Sequence, residues 1–139
     1  MKLEVGNILI IRSNGSVSIV GSAAVVDAPH EGYAYAGYLV RVRLNANWYN
    51  PHFLKMVLSS QLVRGQIEEP IRTTSGVKNI NSTEIGSLKM PSAPLNEQNC
   101  IVSKLNQVMV LCDGLKAQII ESQTTQLHLA DAMAEQAIG

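Results

Sequence analysis

Residues 95–138 read LNEQNCIVSKLNQVMVLCDGLKAQIIESQTTQLHLADAMAEQAI. The stretch has no proline and a single glycine, Gly114. Ile101, Leu105, Val108, Cys112, Leu115, Ile119, Ser122, Gln126, Leu129 and Met133 follow one another at alternating spacings of four and three. That spacing is the a/d seam of a heptad repeat and predicts one long helix. Asn96 is placed to cap its first turn, Leu95 and Cys100 to form a hydrophobic staple, and Glu97 to face the positive helix end. Such a helix is about 60 Å long at 1.5 Å per residue. Residues 1–94 are too few to bury all of it and offer no second helix of comparable length. Either the helix folds back on its own domain, or a partner helix covers part of the seam. The packing logic of heptads favours the partner.

Ser122 and Gln126 fall on successive seam positions. Buried polar groups there lower stability but restrict register and orientation. Val102, Ile120 and Leu127 add a second apolar edge, giving a surface wider than a two-stranded zipper needs. A further partner has room to dock there. Gly114 weakens the helix by roughly 1 kcal/mol relative to alanine and permits a bend.

The chain of 139 residues fits one domain plus an extension, and a hydrophobic fraction of 46% is enough for a core. No run of eighteen apolar residues occurs, so no membrane span is expected. The opening MKLEVGNILIIRSNG lacks a small-residue cleavage site and reads as a strand, not a signal peptide. Cys100 and Cys112 lie about 18 Å apart along the helix and cannot pair within it. Two unpaired thiols suit a reducing cytosol, so a cytoplasmic location is expected. Net charge is zero, which argues against nonspecific nucleic-acid binding. Residues 1–95 nevertheless carry nine Lys/Arg against six Asp/Glu, and residues 96–139 two against five. A mildly basic domain precedes a mildly acidic helix.

The expected class is α+β: a small mixed β-sheet domain with short helices, then one long C-terminal coiled-coil helix. Asn7–Arg12 reads as a buried strand, Ser13–Ser16 as a turn, and Ser16–Val20 as the returning strand. Gly21-Ser22 breaks it, Ala23–Val26 is a third strand, and Asp27–Gly32 a loop. From Tyr38, alternation of Tyr38, Val40, Val42 and Leu44 with Arg41 and Arg43 marks a half-buried strand. Asn50-Pro51 opens a helix with Phe53, Leu54, Val57 and Leu58 on its apolar face. Ser60 is placed to cap a second through Leu62, Val63 and Ile67, which Pro70 ends. Residues 71–81 read as a loop, Ser82–Ile85 as a helical turn, Ser87–Met90 as a short strand, and Pro91–Pro94 as an extended linker.

Catalytic signatures fail. Asn50-Pro51-His52-Phe53 approaches the Asn-Pro-Pro-aromatic signature of amino-methyltransferases, but its third residue is histidine and no glycine-rich cofactor loop exists. The helix start explains the Asn-Pro. His30, His52 and His128 fall on unrelated elements without metal spacing. Ser75-Gly76 lacks the flanks of a nucleophile elbow, and Gly76-Val77-Lys78 is not a phosphate loop. No cofactor or metal is expected. Two polar stretches remain, Arg12-Ser13-Asn14-Gly15-Ser16 and Arg72-Thr73-Thr74-Ser75-Gly76-Val77-Lys78-Asn79. Their cations suit phosphates and guanine edges, and asparagine suits adenine. Tyr33 and Tyr35 add possible sugar or base contacts, and Arg41 and Arg43 are weaker candidates. The competing reading is two ordinary turns whose Asn and Ser bond their own backbone.

The string Thr74-Ser75-Gly76-Val77-Lys78-Asn79-Ile80-Asn81, then Glu84-Ile85, Leu88, Pro91, Pro94-Leu95, Glu97-Gln98 and Ile101-Val102, resembles the specificity subunit of type I restriction–modification enzymes. There a target recognition domain ends in a G-x-x-N-I-N … L-x-x-P-x-x-P-L-x-E-Q passage before a long helix. Gly6-Asn7-Ile8-Leu9-Ile10-Ile11-Arg12-Ser13-Asn14-Gly15 resembles that domain's G-D-I-L-x-x-R-S-N-G, and Tyr38–Arg41 and Pro51–Leu54 match in order. The ordered set covers nearly the whole chain.

The resemblance implies a non-catalytic subunit of two tandem recognition-domain-plus-helix copies. Their helices pair antiparallel, methylation subunits dock on them, and a restriction subunit cleaves. This chain holds one copy: residues 1–94 as a partial target recognition domain, shortened before its first strand, and 95–139 as the dimerisation and docking helix. Expected DNA contacts are Arg12, Ser13, Asn14, Arg72, Thr74, Lys78 and Asn79. The expected interface is Ile101, Leu105, Val108, Cys112, Leu115, Ile119, Leu129 and Met133. Expected partners are double-stranded DNA, methylation and restriction subunits, and a second copy in a homodimer. Two functions stay open: a reader of a split palindrome, or a remnant that binds methylation or specificity subunits without reading DNA.

Overall fold

Ile8 and Ile10 alternate with less buried neighbours along β1 (Ile8–Ile11), the pattern of a strand with one face in the core. β1 lies at the centre of an antiparallel sheet between β3 (Ala23–Val25) and β4 (Leu39–Val42). Its register sets Ile8 opposite Val25 and Val42, and Ile10 opposite Ala23 and Val40. The computed structural model describes residues 2–69, 72–74 and 77–138, without the side chains of 72–74, 77 and 138. Pro70, Ile71, Ser75 and Gly76, named above as a helix stop and loop residues, lie outside the described residues.

Helix α1 (Pro51–Ser59) starts where Asn50-Pro51 predicts. Asn50 Oδ1 accepts from the backbone N–H groups of His52 at 2.8 Å and Phe53 at 3.3 Å, satisfying two of the orphan donors of the first turn. Phe53, Leu54, Val57 and Leu58 are buried. They join Val63 and Ile67 of α2 (Gln61–Glu68), along with Ile8, Ile10, Val20, Val26 and Ile80, in one core. Ser60 precedes α2 but does not cap it with its side chain. Its hydroxyl donates instead to the Val57 carbonyl at 2.6 Å.

The predicted strand Ser16–Val20 is a turn. Ile19 and Val20 donate to the Ser16 carbonyl, and the guanidinium of Arg64 in α2 donates to the carbonyls of Val17, Ser18 and Val20. An arginine that gathers three carbonyls leaves them unavailable to a β-ladder. Ser13–Asn14, predicted as a turn, is a short strand, β2. Residues 71–81, read as a loop, contain the hairpin strands β5 (Arg72–Thr74) and β6 (Val77–Asn79), which join β2 in a second antiparallel sheet of order β2-β6-β5.

Asn81 caps the short helix α3 (Ser82–Gly86) in a reciprocal box with Glu84. Ser87–Met90 is not a strand. The side-chain amide of Gln66 supplies the partner a strand would have had, accepting from the Lys89 N–H and donating to the Lys89 carbonyl, both at 2.9 Å. Helix α4 runs Leu95–Ile138. It begins one residue before the expected Asn96 cap, because the Pro94 carbonyl already accepts from Glu97 and Gln98. The chain divides into two compact units, Met1–Ile101 and Val102–Gly139, so the first turns of α4 belong with the β-sheets.

Candidate nucleic-acid interface

The two polar segments chosen for their chemistry meet in one sheet. β2 pairs with β6 so that Ser13 lies opposite Asn79 and Asn14 opposite Lys78. β5 pairs with the other edge of β6, placing Arg72 opposite Asn79 and Thr73 opposite Lys78. Arg12 extends the pairing by one step, its carbonyl accepting from the Ile80 N–H at 2.9 Å. Six of the seven expected DNA contacts therefore lie on these three strands, and Arg12 adjoins them. The backbone positions of Arg72 and Thr74 are described, and their side chains are not.

The pleat divides this group. Paired residues share a sheet face and successive residues alternate. Ser13 and Asn79 thus point to one face, Asn14 and Lys78 to the other. Asn14 is further engaged, since its Oδ1 accepts from the Ser16 N–H at 3.0 Å and closes its own turn. That bond takes one of the two lone pairs of Oδ1 and orients the amide that would face a base. The local bond expected of an ordinary turn is thus present at Asn14.

The weaker candidates separate in the same way. The Arg41 guanidinium lies 5.8 Å from the centre of the Tyr35 ring and donates to the Lys2 carbonyl, which fixes it to its own domain. Arg43 is exposed. Tyr33 is exposed and meets His30 edge-to-face at 6.1 Å. Among the described residues, no three His, Cys, Asp or Glu side chains converge to hold a metal ion.

Ile101, Leu105, Val108, Cys112, Leu115, Ile119, Leu129 and Met133 are all exposed in the single chain, from 37% at Ile101 to 64% at Met133. Gln98 is the functional-looking polar residue whose role the periodicity did not reveal. It is buried, and its side chain bonds three backbone groups: Nε2 donates to the carbonyls of Trp48 and Ala93, and Oε1 accepts from the Asn50 N–H. Asn50 Nδ2 adds a bond to Asn99 Oδ1 at 2.7 Å. The heptad phase carried one available signal, because Gln98 falls on the seam three residues before Ile101.

No protein-family profile matches the chain. Individual proteins do. The specificity subunit of the type I restriction enzyme EcoKI of Escherichia coli K12 is 30% identical over 119 residues, covering 85% of this chain and 25% of that subunit. The StySPI specificity subunit of Salmonella potsdam is 27% identical over 135 residues, covering 97% of this chain and 29% of its own length. The EcoAI specificity subunit of Escherichia coli is 36% identical over 93 residues, covering 67% of this chain and 15% of that subunit. The chain belongs to the type I restriction enzyme specificity subunits. It spans less than a third of the length of the specificity subunits it matches. Several residues that carried the family resemblance prove to be frame. Asn7, Ile8, Ile10, Ile80 and Gln98 are buried. Their burial and the bonds of Gln98 hold the sheet strands and the base of α4 in place.

Proposed function

We propose that this chain is a non-catalytic DNA sequence-specificity module of a type I restriction–modification system. Residues 1–94 act as a target recognition domain and residues 95–139 as the helix that brings subunits together. The observation that carries the reading is the antiparallel pairing of Ser13-Asn14 with Lys78-Asn79, two segments distant in sequence and selected for nucleic-acid chemistry. Kinship with specificity subunits supports it. Arg12, Ser13, Asn14, Arg72, Thr74, Lys78 and Asn79 contact double-stranded DNA, the cations at phosphates or guanine edges and Asn79 at a base. The exposed seam takes a second copy of the chain, and the edge of Val102, Ile120 and Leu127 takes methylation subunits. A restriction subunit joins that assembly, which works in the cytoplasm.

The test is salt-dependent DNA binding by the purified chain with and without methylation subunit. Affinity is expected to be modest alone and to fall with salt by about one unit of log–log slope per phosphate neutralised. Alanine at Arg12 and Lys78 is expected to lower that slope. Absence of DNA binding in the presence of co-purifying methylation subunit would instead assign the chain to subunit binding.

A further inference from the structure

The ladder of the first sheet leaves the outer edge of β4 open. Ile11 bonds toward β3, since its N–H donates to the Ser22 carbonyl and its carbonyl accepts from the Gly21 N–H. Successive residues of a strand bond to opposite neighbours. Ile8, Ile10 and Arg12 therefore bond toward β4, and the Arg12 N–H donates to the Tyr38 carbonyl at 2.9 Å. Val42 and Val40 stand opposite Ile8 and Ile10 and complete those pairs. Arg41 lies between them, so its N–H and carbonyl point away from β1. Among the described residues no backbone hydrogen bond reaches either group, and β4 ends the strand order.

A hollow of about 490 Å³ borders that edge. Val40, Arg41 and Val42 all line it, and it reaches under β4 to Ile10, Phe53 and Met90. Successive side chains alternate between faces, so three residues in a row meet one hollow along the edge of the strand. Close-packed interiors leave few voids larger than a water molecule. A hollow of this size, beside unpaired backbone, is room for side chains that an added strand brings.

Charge selects the occupant. Residues 38–49 contain Arg41 and Arg43 and no Asp or Glu. Arg41 lies on the face opposite Val40 and Val42, with its guanidinium near the Tyr35 ring. Arg43 is exposed, and Glu4 beside it offsets its charge in part. A second copy of β4 paired antiparallel about Arg41 would set that arginine against its own counterpart. Like charges directly opposite are destabilising, so the arginines guard the edge against self-pairing. A strand with a carboxylate opposite Arg41 and an apolar residue on either side gains on both faces. The carboxylate meets the guanidinium, and the apolar side chains enter the hollow.

We propose that the outer edge of β4 docks an extended segment of a partner polypeptide in which acidic and apolar residues alternate. Main-chain bonds supply the affinity of such an added strand, and the hollow selects its side chains. β4 takes no part in the β2-β6-β5 sheet, so this docking and DNA binding are tested separately. The probe is a blocked synthetic peptide alternating glutamate with valine, titrated into the isotopically labelled full chain. At saturation the Arg41 amide is expected to exchange with solvent about tenfold more slowly. N-methylation of the peptide's central glutamate removes the donor to the Arg41 carbonyl and is expected to weaken binding about tenfold. Lysine in place of glutamate is expected to weaken it about two- to fivefold, and Arg43→Glu to shrink that preference. Binding that N-methylation leaves unchanged would mean that the hollow takes apolar groups without the strand edge. Absence of binding at millimolar peptide would mean that the edge takes no such strand. Either result overturns the proposal. An Arg41 amide already protected in the free chain would overturn it too. Protection that grows with chain concentration would assign the edge to a second copy, and protection that does not would assign it to another segment of the same chain.

Discussion

Gln98 Nε2 donates to the Trp48 carbonyl at 3.0 Å, fastening the first turn of a 44-residue helix to the loop that leads into α1. The same nitrogen donates to the Ala93 carbonyl at 2.8 Å, and Oε1 accepts from the Asn50 N–H at 2.9 Å. Gln98→Ala leaves these three backbone groups without that partner. The expected loss is about 1–3 kcal/mol of unfolding free energy, the cost of unsatisfied buried polar groups. Urea denaturation monitored by Trp48 emission measures it. Gln98→Glu keeps the acceptor, loses both donors and buries a charge, so it is expected to be no better than alanine at neutral pH.

Gly21 has φ of +83°, and a Cβ built there would lie 2.8 Å from Ile67 Cδ1 and 2.9 Å from Ile67 Cγ2. Ile67 is 1% exposed and has no room to retreat. Gly21→Ala therefore combines a left-handed backbone with overpacking. It is expected to lower stability by about 1–3 kcal/mol, read as a shift in urea midpoint. A neutral result would mean that the Ser16–Gly21 turn can re-form elsewhere.

The parts of the fold legible in the sequence are those set by local chemistry. Asn50-Pro51 marks its own helix start, alternation marks Leu39–Val42, and heptad spacing marks α4. The parts misread depend on residues distant in sequence. Ser16–Val20 is apolar enough for a strand, but Arg64 takes its carbonyls from α2. Lys89 looks like a strand residue because its actual partner is the side chain of Gln66. Residues 71–81 look like a loop because Gly76, Lys78, Asn79 and Asn81 have weak strand propensity and outweigh Thr73, Thr74 and Val77, and only pairing with Ser13-Asn14 reveals the ladder. The candidate DNA-contacting residues were readable as residue types. Their division between two sheet faces was not, because it follows from that register.

Leu115 and Ile119 are exposed and fall on successive positions of the heptad seam. Leu115→Glu with Ile119→Glu is expected to dissociate the dimer, since four carboxylates then meet at the centre of an apolar interface. Light scattering is expected to move from twice the chain mass to 15.1 kDa. Far-UV circular dichroism is expected to lose signal as well, because an isolated helix of low intrinsic hydrophobicity depends on tertiary packing.

Spin labels at Glu97 of both copies test direction without fluorescence. Antiparallel pairing predicts a separation on the order of 60 Å, the rise accumulated over most of α4. A distance short enough to place both labels at one end would mean that the two β domains sit together.

The proposed function requires the β2-β6-β5 sheet to read DNA. Random-site selection on the full chain with purified methylation subunit tests it most directly. A split palindrome, one half-site per copy, is expected to be enriched, and to be lost when Lys78 and Asn79 are both changed to alanine while the dimer and its methylation subunit remain assembled. Enrichment of no sequence by an intact assembly, or a palindrome unchanged by Lys78→Ala with Asn79→Ala, would contradict it.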